Sequence, residues 1–463
     1  MRTITAGCSV RILACLIVAI FATAFATAGR PQPVRAEAKP YGIEPGSAYT
    51  SAASCSASAC HGGGAVGTRG SEHSTWAPEV RPHSDHDPHS KAYRVLFNPD
   101  SVRIAKWLGG GAAHENVLCL KCHAPAGVNV PEARAEGVGC SACHGAGEKW
   151  LTSHYLPDWK AKSNREKWSE GFVPTKNLTA RISNCATCHV GSADREVNHD
   201  LIAAGHPRLA FEYTRFHFSG TYRKHWEEKT RQPEFEVQAW VIGQAATARA
   251  AVDVLHGRAV KAKAEKAVWP EFAGFSCYAC HQTIGDKEVK GTLGKPEWEV
   301  FHTAALDVAA ARSHLLLPDV NAPQLVKFAE LKKMMGSANA KPVEVESLAA
   351  AARAELDAWL AEMQAGEDAS PRSSAVLEPI DASLFQRGAA AKEWDSLAAH
   401  YLGGAAMYHA AGGEKTHPRM KGPLAAIRDE LRFPPSFNNP AKFDRGSLER
   451  VRAEFLKLQE LNR

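Results

Sequence analysis

At 463 residues, 44% of them hydrophobic and 23% charged, the chain is long enough for two or three ordinary domains. Its 55 Lys and Arg against 50 Asp and Glu leave a formal charge of +5, which gives no support for nucleic-acid binding. The distinctive part of the composition is 12 cysteines and 21 histidines, and what matters is how they are spaced.

The first 28 residues read as an export signal. Arg2 and Arg11 precede an apolar run over 12–21 that continues in small residues to Ala28, and Ala26-Thr27-Ala28 offers a small-x-small cleavage site. The run is only just long enough to span a bilayer, so an uncleaved anchor is the alternative. No later stretch is apolar enough to cross a membrane. Residues 29–54, rich in Pro, Ala and Ser, read as a linker.

The remaining cysteines come in pairs, each closed by histidine. The pairs are Cys55 and Cys60 before His61, Cys119 and Cys122 before His123, and Cys140 and Cys143 before His144. Cys185 and Cys188 before His189, and Cys277 and Cys280 before His281, complete the set. Cys-x-x-Cys-His attaches a c-type haem: both thiols add to the porphyrin vinyl groups, and the histidine becomes the proximal iron ligand. The first pair is stretched, with four residues between its cysteines. Zinc knuckles and disulfides are the alternatives, but neither requires histidine directly after the second cysteine. Five haem c groups follow, and residues 54–282 are too few to bury five macrocycles in separate apolar domains. The haems must pack against one another, which already implies electron transfer between neighbours. Their propionates offset the small positive charge.

Between the motifs, the chain supplies further histidines. After Gly62-Gly63-Gly64 come His73, His83, His86 and His89; such a cluster suits a labile metal, but axial ligation of haem explains it better. Asp87-Pro88-His89 opens an expected helix over 90–97. Motifs two and three are close in sequence, which makes their haems expected neighbours. A helical stretch over 149–155 presents His154. Asn198-His199-Asp200 and Ala204-Gly205-His206-Pro207-Arg208 follow motif four. The aromatic run from Phe211 to Trp226, with His217 and His225, reads as haem-pocket wall. A long helix is expected over 236–266, and after motif five further helices over 297–316, 343–364, 391–411 and 447–461. Residues 332–341 and 366–373 read as loops. The fold class is mainly α, with a packed haem cluster over 55–310 and a haem-free helical region over 311–463.

What the protein does turns on the sixth ligand of each iron. A bis-histidyl haem is low-spin, has no open position and carries electrons. A five-coordinate haem in a polar pocket can reduce nitrite, hydroxylamine or peroxide. The candidate distal ligands are His89, His154 and His206, then His199, His73 and His302. His256, His314, His400, His409 and His417 read as surface or hydrogen-bonded histidines. Arg208, Arg215 and Lys224 are candidate propionate partners.

From Cys55 to about residue 223 the chain resembles the multihaem cytochromes c related to the tetrahaem carrier of nitrifying bacteria. The likeness rests on Asp87-Pro88-His89-Ser90-Lys91-Ala92-Tyr93, Gly137-Val138-Gly139-Cys140-Ser141-Ala142-Cys143-His144-Gly145 and Ala203-Ala204-Gly205-His206-Pro207-Arg208-Leu209. It implies closely packed haem pairs in a mostly helical fold that passes electrons between redox partners, with His89 and His206 as axial ligands. The stretched first motif, the fifth motif and the C-terminal helices depart from the tetrahaem pattern. Ammonia-forming nitrite reductase marks its catalytic haem with Lys in place of the motif histidine, whereas all five motifs here end in His. Hydroxylamine oxidoreductase carries a tyrosine cross-link, and nothing around Tyr401 or Tyr408 marks either for one. The expectation is an exported, periplasmic electron carrier with redox protein partners, free or membrane-associated through a partner or the leader. A reductase or oxidase of a small nitrogen or oxygen compound is the alternative. A scaffold subunit that docks an oxidoreductase through the C-terminal helices is a third.

Overall fold

The computed structural model describes residues 41, 49–65, 68, 70–77, 87–218, 225–226, 233–264, 267–277, 297–315, 322–337, 339–369, 380–432 and 445–462. The expected export signal, His83, His86, Lys224, Cys280 and His281 lie outside them. Among the described residues the protein is mainly helical and has no strand; Ser192 with Arg195 and Phe275 with Trp298 form isolated bridges.

Three attachment motifs close helical turns. Motif two ends α1 (Val117–His123), motif three is α2 (Cys140–His144), and motif four ends α3 (Leu178–His189). Residues three apart on a helix share a face, so each turn presents both thiols to one side. The stretched first motif uses a different device. The Cys60 and Gly62 amides both donate to the Ala57 carbonyl, at 2.9 and 3.0 Å, folding the four-residue spacer back on itself. A Cβ on residue 62 would sit 1.8 Å from the Ser56 carbonyl oxygen, so only glycine allows this closure.

The core is organised by α4 (Pro233–Lys263). Proline opens it, none interrupts it, and from Ala239 to Leu255 it is buried on nearly every side. A helix apolar all round belongs inside a protein. α5 (Val326–Met335) packs on α6 (Pro342–Ala369), which lies along α4. α7 (Ala382–Ala390) joins α8 (Trp394–Ala410), and α9 (Lys421–Leu431) meets α10 (Arg445–Leu461). α8 reaches the Trp240 ring through Gly403, where a Cβ would come within 2.9 Å of the indole. One apolar cluster runs from Leu178 on α3 to Leu458 on α10, so residues on both sides of position 310 share a core.

Polar contacts tie the same parts together. The Arg353 and Arg249 guanidiniums reach Asp253 and Asp357 at 2.8 Å each. At the start of α3, Glu367 accepts from the Leu178 and Thr179 amides at 2.8 and 2.9 Å, and Asn177 accepts from Ala180 at 3.0 Å. The donors that a helix start leaves open are thereby satisfied, two of them by a residue at the far end of α6.

Several expected helices differ. Residues 90–97 form two 3₁₀ turns, Pro88–Lys91 and Arg94–Phe97, because the His89 carbonyl also accepts from Val138 and the Ala92 carbonyl accepts from His123 Nδ1. Residues 151–155 form turns, with the Leu151 carbonyl taken by His154 Nδ1. The helix expected over 297–316 starts only at Val300, after Glu299 adopts φ 47° and pairs with Gly274, and breaks into Val300–Thr303 and Leu306–Ala311. The loop expected from 332 begins after Met335, since Phe328, Leu331 and Met335 share the buried face of α5.

Candidate haem sites

Four motif histidines each face one histidine from elsewhere in the chain. Ring centroids are 6.0 Å apart for His61 and His154, 6.4 Å for His123 and His206, 6.2 Å for His144 and His225, and 6.0 Å for His189 and His89. Metal–imidazole bonds are about 2 Å long, and roughly 1 Å separates a ring centroid from its coordinating nitrogen. Two imidazoles on opposite sides of one iron therefore have centroids about 6 Å apart. All four spacings fit an axial pair.

In six of the eight rings the other ring nitrogen has a hydrogen-bond partner. Nδ1 of His123, His154 and His206 donates to the carbonyls of Ala92, Leu151 and Pro207 at 2.8, 2.7 and 2.7 Å. Nδ1 of His61 meets Glu72 at 3.1 Å and that of His89 meets Asp87 at 2.9 Å. His144 Nδ1 lies 3.5 Å from the Thr175 hydroxyl. Carbonyl and carboxylate oxygens only accept, so these bonds place the proton on Nδ1 and leave the Nε2 lone pair for a metal.

Electrostatics keep most of these imidazoles neutral. Burial, with His225 and His61 nearby, lowers His144 to about 4, and burial beside His89 lowers His189 to about 4. His123, His206 and His225 are also pulled down, chiefly by burial. Burial acts on His89 too, but the hydrogen bond and charge of Asp87 outweigh it and raise this histidine. A neutral imidazole is the form that ligates.

The cysteines reveal how the motifs adjoin. The Cys55 and Cys140 thiols lie within electrostatic reach of one another, as do Cys122 and Cys188, and Cys143 lies within reach of Cys185 and Cys188. Asn184 donates to the Ala142 carbonyl at 3.0 Å, and Lys121 to the Asp194 carbonyl at 2.8 Å. The motifs therefore adjoin in the order one, three, four, two. Motifs two and three, the neighbours expected from sequence, are each in contact with motif four. None of the described cysteines forms a disulfide.

Around Cys277 the arrangement is different. Arg208 Nη1 lies 3.8 Å from its sulfur while the guanidinium grips Asp395 with two bonds of 2.6 and 2.9 Å; both side chains are buried. Arg208 is thus held by Asp395, the partner expected for it having been a propionate. His302, 4% exposed, donates from Nδ1 to Glu299 at 3.0 Å, and its Nε2 is buried without a hydrogen-bond partner. It lines a small pocket with Arg208, Arg258, Ile202, Leu209 and Val254. A buried imidazole nitrogen left open, in a pocket shared with the arginine that contacts an attachment cysteine, fits an axial ligand. Ser276 hydrogen-bonds Glu393, whose carboxyl is pushed up to about 7 by burial and by the negative charge of Asp395.

The Glu393 shift carries a sign. The folded chain holds this proton more tightly than the unfolded one, so the stabilisation is full below the ordinary carboxylate range and is lost as pH rises through about 7. Denaturant unfolding across that window is expected to show a fall on the order of 3 kcal/mol, which Glu393→Gln flattens.

The other expected ligands lie elsewhere. The His73 ring packs 5.7 Å from Trp76 and the His199 ring 6.3 Å from Phe272; the four described motif histidines face other residues, and His281, which closes motif five, lies outside the described residues. His225, read from sequence as pocket wall, is the residue opposite His144. His400, expected as a surface or hydrogen-bonded histidine, is buried and hydrogen-bonded, with Nδ1 on the Ser396 carbonyl at 2.6 Å and Nε2 unpartnered.

A family model described as cytochrome c554 and c-prime matches residues 82–145, the stretch that holds His89 and motifs two and three. Comparisons with curated proteins and with solved structures return no match. Cytochromes of the c554 type are usually exported, and no helix among the described residues is long and apolar enough to cross a membrane. The match and the helical fold together support a c-type cytochrome that carries covalent haem and works in electron transfer.

Proposed function

We propose that the chain is an exported, periplasmic pentahaem cytochrome c that relays electrons between redox protein partners, with every iron held by two histidines. The observation that carries this reading is the facing of each described motif histidine by one other histidine at 6.0–6.4 Å. When bound, the haems supply one-electron chemistry. The chain's part is to fix the rings, fill both axial positions and set the neighbours.

His61 pairs with His154, His123 with His206, His144 with His225, and His189 with His89. His281 closes the fifth site, with His302 as its second ligand. The contact between Arg208 and Cys277 links that site to motif two through His206, which extends the order to one, three, four, two, five. A reductase needs an iron with an open position, and the facing histidines fill that position at four of the five sites. Electron paramagnetic resonance of the oxidised protein, with haem quantified on the same sample, tests the reading. Five low-spin haems indifferent to cyanide and nitrite are expected. A high-spin haem that shifts with either ligand would replace the carrier with a catalyst.

A further inference from the structure

The axial histidines differ in what holds their Nδ1 protons. At site two both rings are held by neutral carbonyls, His123 by Ala92 and His206 by Pro207. At site four His89 is held by the Asp87 carboxylate at 2.9 Å, and at site one His61 is held by Glu72 at 3.1 Å. Asp87 is 2% exposed, and its Oδ1 also accepts the His89 amide at 3.0 Å, which fixes the carboxylate in place. Glu72 is more open to solvent, with 30% of its side chain exposed, and is steadied by the Gly70 amide at 3.2 Å.

A carboxylate on the Nδ1 proton gives the imidazole more anionic character and makes Nε2 a stronger donor to the metal. A stronger donor favours the ferric over the ferrous state, and the negative charge favours the more positive iron directly. Both effects lower the reduction potential. They are weaker where water screens the carboxylate, so Asp87 acts more strongly than Glu72.

We propose that Asp87 and Glu72 are potential-setting residues that hold sites four and one below site two, where both axial rings rest on carbonyls. Among these three sites an electron then settles toward site two, the site that adjoins Arg208 and Cys277. This inference rests on the axial pairing proposed above. Asp87 and Glu72 act through the histidines and are positioning residues.

Ring orientation lets the sites be told apart. The His61 and His154 planes are 17° from parallel, whereas the His89–His189 and His123–His206 pairs cross at 85° and 84°. Near-parallel axial planes give a rhombic low-spin signal, and near-perpendicular planes give one with a single large g value.

The experiment is a redox titration of the full haem-loaded protein followed by electron paramagnetic resonance, on the parent, Asp87→Asn and Glu72→Gln. Both substitutions keep an oxygen that accepts the Nδ1 proton and remove the charge. Asp87→Asn is expected to favour reduction of one large-g haem by about tenfold, which is about 59 mV for one electron, and to leave the rhombic haem in place. Glu72→Gln is expected to raise the rhombic haem by a smaller amount. Unchanged midpoints in two variants that stay fully low-spin would overturn the tuning and leave the axial pairing standing. His89→Ala separates the two ideas: an unchanged, fully low-spin spectrum in that variant would overturn the pairing itself.

Discussion

His225→Ala will turn one haem of the set from low-spin to high-spin. His225 faces His144 at 6.2 Å, and its Nδ1 is buried without a hydrogen-bond partner. The flanking Trp226 ring, at 5.1 Å, is the main wall. Removing the imidazole opens one axial position at site three and leaves the pairs at sites one, two and four intact. The variant is expected to bind cyanide at one equivalent, and added imidazole is expected to restore the low-spin spectrum. A spectrum unchanged by the substitution would remove His225 from the axial set. The effect reaches beyond one iron, because site three lies between motifs one and four and a high-spin centre there interrupts the array.

The second large effect concerns stability. Arg208 and Asp395 are both buried and joined by two charge-assisted bonds. Asp395→Ala strands a guanidinium in the core and is expected to cost about 3–5 kcal/mol in denaturant unfolding. Replacing both residues with apolar ones of similar volume, Arg208→Met with Asp395→Leu, is expected to recover most of that loss, since a buried pair barely outweighs its own desolvation. If the single variant unfolds like the parent, the pair contributes nothing to the core. Haem content measured on the same samples shows whether the contact of Arg208 with Cys277 matters for the fifth site.

Covalent attachment was legible in the sequence because Cys-x-x-Cys-His is a local device, complete within one helical turn. The histidines that face the motif histidines are a different matter. Asp87-Pro88-His89 signals a helix start, and His206 follows a glycine turn, so both stood out locally. His225 gave no such sign; it sits in an aromatic run, and only tertiary folding brings it to His144. His73 and His199 had equal local credentials, and no local pattern ranked them against His89 and His206. The long helices α4, α6 and α8 were readable from alanine-rich stretches without internal proline, and α10 from its Leu, Glu and Lys composition. The stretch over 90–97 was not, because its carbonyls are claimed by His123 and Val138, contacts that no local pattern announces.

The cap on α3 sets a timetable. The helix that carries the fourth attachment pair has its first amides closed by Glu367, which lies 189 residues later than Leu178. An exported chain emerges N-terminus first, so that carboxylate reaches the folding compartment later than the helix it completes. Until then α3 lacks a contact of a kind commonly worth about 1 kcal/mol, and its first turn frays. The fourth cysteine pair is therefore made early and shut late, and the interval between the two is time in which its thiols stay within reach of covalent chemistry.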